Sequence, residues 1–121
     1  MILVDTSVWI DHLRKSDATL YRLLGQRSVL THPMVIGEIA VGSFTRREVI
    51  LELLQRLPGV VPATNGEALH FISHHKLYGL GIGYIDIHLL AAAQLTPGTA
   101  LWSRDKRLIA VAESLNLAFR P

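Results

Sequence analysis

The chain has 121 residues, a formal net charge of +2, 50% hydrophobic and 18% charged residues, and no cysteine. One domain spanning 1–121 is the expectation for this length, and roughly two thirds of the unfolded surface can be buried without staples. Disorder is excluded by the apolar content, and disulfide frameworks, thiolate zinc sites and thiol nucleophiles by the missing cysteine.

The chain opens on Met1–Val4, an apolar run that reads as a buried strand stopped at Asp5. Thr6–Leu13 and Asp17–Gly25 read as two short helices, and Ser28–Thr31 as a second strand. Pro33 suits the first position of a helix reaching about Ser43. Thr45 and Glu48 have capping-box spacing, with Phe44 and Val49 placed as a hydrophobic staple. The helix behind them is expected to bury Ile50, Leu53, Leu54 and Leu57, and Pro58-Gly59 ends it. Val60–Ala63 reads as strand three, and Thr64 and Glu67 open a helix to about Tyr78. Ile85–Leu95 is apolar almost all round, the mark of an interior helix. Thr99–Ser103 is strand four, Asp105–Leu115 the last helix, and Leu117–Arg120 a fifth, edge strand.

Apolar strands separated by helices predict an α/β fold with a parallel sheet of four to five strands covered on both faces. Ligands of such folds bind beyond the carboxyl ends of the strands, where the strand order switches.

Ten residues are acidic, and four of them stand in costly places. Asp5 and Asp105 each follow a strand directly. Glu38 and Asp86 are the lone formal charges of long apolar stretches, Arg27 to Arg46 and Lys76 to Arg104. An unpaired buried carboxylate costs several kcal/mol, whereas a helix N-terminus returns only ~0.3–1 kcal/mol. A divalent cation offsets such crowding, and an all-carboxylate donor set points to Mg²⁺ or Mn²⁺ rather than Zn²⁺. Metal-assisted phosphodiester hydrolysis is the chemistry this implies. The competing structural reading has Asp5 and Asp105 cap helices and Glu38 pair with an arginine. Thr6, Ser7 and Ser103 lie beside the acids, placed to orient a ligand or water or to cap helices.

In order and spacing, Asp5-Thr6-Ser7, Glu38, Gly83-Tyr84-Ile85-Asp86 and Ser103-Arg104-Asp105 resemble the PIN domain, and closely the VapC toxins of bacterial toxin–antitoxin pairs. The stretches DTSVWIDHL, GIGYIDIHLLAAA and LWSRDKRL carry the resemblance over nearly the whole chain. It implies a three-layer α/β/α sandwich and a Mg²⁺-dependent endoribonuclease acting in the cytoplasm on structured or translational RNA. It also implies a VapB-type antitoxin that inserts into the active-site groove, and a homodimer. Carried over, Asp5, Glu38, Asp86 and Asp105 form the catalytic set. Asp5 and Asp86 are the principal metal ligands, Asp105 a direct or water-mediated third, and Glu38 supports the ligands or positions water.

Other features read more plainly. His70, His74 and His75 lack the glutamate of a zincin and are expected to form an exposed polar face. Gly79, Gly81 and Gly83 follow no strand, so they are a turn into the Asp86 helix rather than a nucleotide loop. Asp11 is expected to pair locally with Arg14 and Lys15, and His88 to be a core residue or to line the groove. Arg104 and Lys106, with Ser7 and Ser103, are candidate substrate contacts. A catalytically inactive RNA- or partner-binding module of the same fold is the alternative function. A phospho-receiver is disfavoured, because Asp5 is followed by Thr6 and not by a second acid. No stretch reads as a membrane span.

Overall fold

The computed structural model describes residues 1–121. The elements are β1 (Ile2–Val4), α1 (Thr6–Arg14), α2 (Ala18–Gly25), β2 (Val29–Leu30), α3 (Pro33–Ala40), α4 (Arg47–Arg56), α5 (Asn65–His75), α6 (Tyr84–Leu95), β3 (Ala100–Trp102) and α7 (Lys106–Ser114). The three strands pair in parallel in the order β2-β1-β3, with Leu3 opposite both Leu30 and Leu101. Successive strand residues point to opposite faces. Leu3 and Val4 are both fully buried, and so are their neighbours Leu101 and Trp102, so helices cover both faces of the sheet. That is the α/β/α sandwich expected. No helix is long and apolar enough to cross a membrane.

The sheet is narrower than expected. Val60–Ala63 is not a strand: only a single bridge, Thr31 to Gly59, extends the sheet beyond β2. Pro62 lies within that run and has no N–H to give a ladder. The fifth strand is likewise one bridge, Leu101 to Ala118, held by Leu101 N–H to Leu117 O (2.6 Å) and Phe119 N–H to Leu101 O (2.8 Å). Five positions across the sheet therefore survive, and the outer two are reduced to a residue each.

Three helix details also differ. Thr45 does not cap α4: Arg46 takes the N-cap position in a left-handed conformation (φ 59°, ψ 35°) with no side-chain capping bond. The Arg47 guanidinium instead reaches back to Ala40 O, satisfying a carbonyl at the end of α3 (2.6 and 3.1 Å). Of the expected stripe only Leu54 is buried, while Leu53 is 53% exposed. Its neighbours line an open apolar groove of about 410 Å³ among α1, α2 and α4, shared by Trp9, Leu13, Leu24, Ile50 and Leu57. Helix α5 stops at His75, because Lys76 turns left-handed and Leu77 N–H bonds Ile72 O at 2.9 Å. Its start is as expected, a capping box in which Thr64 and Glu67 bond reciprocally.

Helix α6 is the interior helix: Ile87 to Ala93 are buried without interruption. The order β2-β1-β3 puts the switch point beside the carboxyl end of β1, between it and β3.

Candidate active site

Asp5 is the first residue past β1, and its N–H continues the ladder to Trp102 O at 2.9 Å. It occupies the N-cap position of α1, yet its side chain makes no capping bond. Instead Oδ2 accepts from Ser7 Oγ at 2.7 Å and from Ser103 Oγ at 2.8 Å, with Asp5 only 7% exposed. Each serine has one proton. Both are spent on Asp5, so the serine oxygens accept from elsewhere: Ser7 Oγ from the Arg104 amide and Ser103 Oγ from the Asp105 amide, each at 3.0 Å. Asp5 is thus fastened to the loop that begins α7, about a hundred residues away in the chain.

Asp105 caps α7, Oδ1 accepting from the amides of Arg107 (2.9 Å) and Leu108 (3.1 Å). Asp86 lies in the first turn of α6 and takes the Gly83 amide on Oδ2 at 2.9 Å. Glu38, exposed on α3, takes Thr6 Oγ1 on Oε1 at 2.8 Å. In every case one carboxylate oxygen is engaged and the other has no hydrogen bond from the protein. The ion pairs of the chain join Arg47–Glu48, Arg56–Glu52, Arg104–Asp11, Arg104–Asp17 and Arg120–Glu113. None includes Asp5, Glu38, Asp86 or Asp105, so the expected alternative of an arginine partner for Glu38 does not hold.

The four share one electric field. Burial pushes the Asp86 carboxyl above the usual carboxylate range. The Gly83 amide opposes this, and the charges of Asp5, Asp105 and Glu38 push it up further. The side chains still stand apart: no three carboxylate or imidazole groups converge as a ready-made metal cage. The donor set is oxygen-only, unpaired and mutually repelling, which suits a hard divalent cation.

The remaining residues of interest fall into place around this set. Ser7 and Ser103 hold Asp5. The Arg104 guanidinium is held by Asp11 and by Asp17 (2.6 Å) and lies over the Trp102 ring at 5.8 Å from its centroid. Asp11 therefore pairs across 93 residues and not with Arg14 or Lys15, a correction to the local pairing. Lys106 begins α7 exposed and outside every ion pair. Ser103, Arg104, Lys106, Phe119 and Arg120 line an open cleft of about 750 Å³, and Ser103 is its one lining residue bonded to Asp5.

The glycines ahead of α6 act as a turn. Gly79 and Gly81 have positive φ (72° and 77°), and a Cβ on Gly81 would sit 2.6 Å from Arg107 Nη1. His70 and His74 are exposed and stack at 5.7 Å between ring centroids. His32 stands outside the residues singled out from the sequence. It is buried, and its Nδ1 accepts the Met34 amide at 3.0 Å to cap α3. Its place between a strand end and a helix-opening Pro33 was the available signal, masked because histidine is not a favoured cap.

Comparison with known proteins identifies the family. The family model described as PIN domain matches residues 2–114. Two relatives, each named Ribonuclease VapC32, come from Mycobacterium tuberculosis strains CDC 1551 / Oshkosh and ATCC 25618 / H37Rv. Each is 49% identical to this chain over 115 residues, which covers 94% of this chain and 93% of the relative.

Proposed function

The chain belongs to the PIN domain family, and on that premise we propose that it is a divalent-metal-dependent endoribonuclease, the toxin of a VapBC-type toxin–antitoxin pair. The observation that carries this reading is the set Asp5, Glu38, Asp86 and Asp105, four carboxylates with no cationic partner whose charges act together on Asp86. Asp5, Asp86 and Asp105 would hold Mg²⁺, or Mn²⁺ in its place. A divalent cation there supplies a lowered pKa for a water and positive charge against the phosphoryl oxygens.

The protein's own groups do the positioning. Ser7 and Ser103 fix Asp5 so that Oδ1 is presented, and the capping amides of α7 fix Asp105 so that Oδ2 is presented. Glu38, exposed and tethered through Oε1, keeps Oε2 for orienting the attacking water. Attack at phosphorus leaves a 5′-phosphate and a 3′-hydroxyl. Lys106 and the cleft beside it receive the flanking phosphates, with Arg104 stiffening the cleft wall, and binding weakens with salt. A VapB-type antitoxin would insert into the acidic groove, and the open apolar groove among α1, α2 and α4 gives a second copy of the chain a face to cover. Action in the cytoplasm and a domain spanning the whole chain belong to the same reading.

Purified protein incubated with RNA and Mg²⁺ should cleave it, stop with EDTA, and stop on Asp5→Asn or Asp86→Asn. Cleavage that survives EDTA would overturn the mechanism. The alternative, an RNA-binding module without turnover, draws on the open spacing of the carboxylates. Tight RNA binding indifferent to Asp86→Asn, with no cleavage under any divalent ion, would establish it.

A further inference from the structure

Two buried histidines connect the helices that carry the acids. His32 caps α3, which bears Glu38, and His88 lies on α6 two residues beyond Asp86. Each is 2% exposed, and their ring centroids are 6.3 Å apart at an interplanar angle of 66°.

Nδ1 of His32 accepts the Met34 amide proton. A neutral imidazole carries a single N–H, so that proton sits on Nε2. Burial, and to a lesser degree His88, lower the His32 pKa to about 4, which keeps the ring neutral. Nε2–H is then a buried donor without an acceptor, and both ring nitrogens of His88 are buried without partners. A buried polar group left without a partner is destabilising. A metal ion does not resolve this, because a protonated Nε2 has no lone pair to offer. A direct N–H···N bond satisfies two of the three nitrogens, His32 Nε2–H and one of His88. It needs ring centroids about 5 Å apart, roughly 1 Å closer than they stand. No three carboxylate or imidazole groups of the chain converge either.

We propose that His32 and His88 are positioning residues of the acidic site: a hydrogen bond from His32 Nε2–H to a His88 nitrogen forms as α3, with Glu38, closes on α6 when Asp86 and its fellow ligands take a divalent cation. The inference rests on the reading that the carboxylates take such a cation. Cation binding and the closure of α3 on α6 are then two sides of one equilibrium.

Long-range ¹H–¹⁵N spectra of the imidazoles, followed through a calorimetric titration with Mg²⁺ alone, test it on the full chain. His32 should show the Nε2–H tautomer, and Mg²⁺ should shift that proton downfield and slow its exchange. His32→Asn keeps an oxygen where Nδ1 caps α3 but has nothing at the Nε2 position, and should weaken Mg²⁺ binding about tenfold. His88→Phe keeps a ring without nitrogens and should weaken it equally, so the test survives if one variant fails to fold. Mg²⁺ binding that leaves both imidazoles unmoved, or wild-type affinity in either folded variant, overturns the coupling while leaving the nuclease reading intact. Absence of any Mg²⁺ binding overturns both.

Discussion

Ser103 and Asp5 meet across 98 residues of chain, hydroxyl to carboxylate at 2.8 Å, at the carboxyl ends of the paired strands β3 and β1. Because the Ser103 oxygen also accepts from the Asp105 amide, one hydroxyl sets two of the four acids relative to each other. The parallel register fixes this: Val4 faces Trp102, so the next residue on each strand must meet its counterpart. A serine at that position turns a strand end into a bracket for the site.

Ser103→Ala removes a buried donor from Asp5 and an acceptor from the Asp105 amide. We expect a stability loss of about 1–3 kcal/mol in urea unfolding. RNA cleavage should fall roughly 10–100-fold, the usual cost of a group that supports a metal ligand. Ser103→Thr keeps the hydroxyl and should retain most of both. Full cleavage by Ser103→Ala would remove the serine from the site.

Asp86→Asn separates stability from activity. The raised pKa of Asp86 means that its ionisation opposes folding at neutral pH, and an amide escapes that cost while still accepting the Gly83 N–H. The variant should melt higher than wild type in EDTA and gain nothing from Mg²⁺, whereas wild type gains stability with Mg²⁺ concentration. Cleavage should fall by more than the roughly 10–100-fold expected of a supporting residue. A variant less stable than wild type in EDTA would show that the four charges do not repel as described.

Much of this site was legible before the fold was known, because a lone carboxylate in an apolar stretch is costly if it is buried, although only Asp5 is buried and Asp86 half-buried, while Glu38 and Asp105 are exposed. Asp5, Glu38, Asp86 and Asp105 stood out on that ground, and each has an oxygen left without a protein partner. The strands β1 and β3 were legible for the same reason, as apolar runs buried on both faces. What stayed hidden depends on long-range geometry. Arg104 is drawn to Asp11 and Asp17 only because β3 ends beside α1 and α2. The Thr45–Glu48 spacing reads as a cap, but Arg46 adopts a left-handed conformation and Arg47 is taken by Ala40 O. Leu53 keeps helical spacing with the core yet faces an open groove, since periodicity records an apolar face and not what covers it.

Arg104 ties the start of α7 to α1 and to the cap of α2. Asp17 also accepts the Leu20 amide, so the pairing reinforces a capping bond. Partly exposed pairs of this kind contribute about 1 kcal/mol or less each. Arg104→Ala should lose about 1–2 kcal/mol with both pairs gone. Arg104→Lys should recover only part, because a single ammonium does not span two carboxylates as a guanidinium does. A double-mutant cycle with Asp17→Asn measures the coupling, which should shrink in 1 M salt. Coupling near zero would reduce the clamp to a surface contact.

His32 should make stability depend on pH in a defined window. Its pKa is about 4 in the fold, lowered by burial, against 6.5 for the free side chain. Between those values the unfolded chain binds the proton more readily, so stability is fully present above pH 6.5 and is lost as pH falls toward 4. The shift corresponds to about 3 kcal/mol across the window. His12 and His75 are also lowered by burial and slope the same way, while Asp86 slopes oppositely. All three remain in His32→Asn, so subtracting its pH–stability curve from that of wild type isolates His32. The difference should be flat above pH 6.5 and should move by about 3 kcal/mol in favour of the variant down to pH 4. Parallel curves would mean that the His32 ring accepts a proton as easily in the fold as in water, and would contradict its burial against His88.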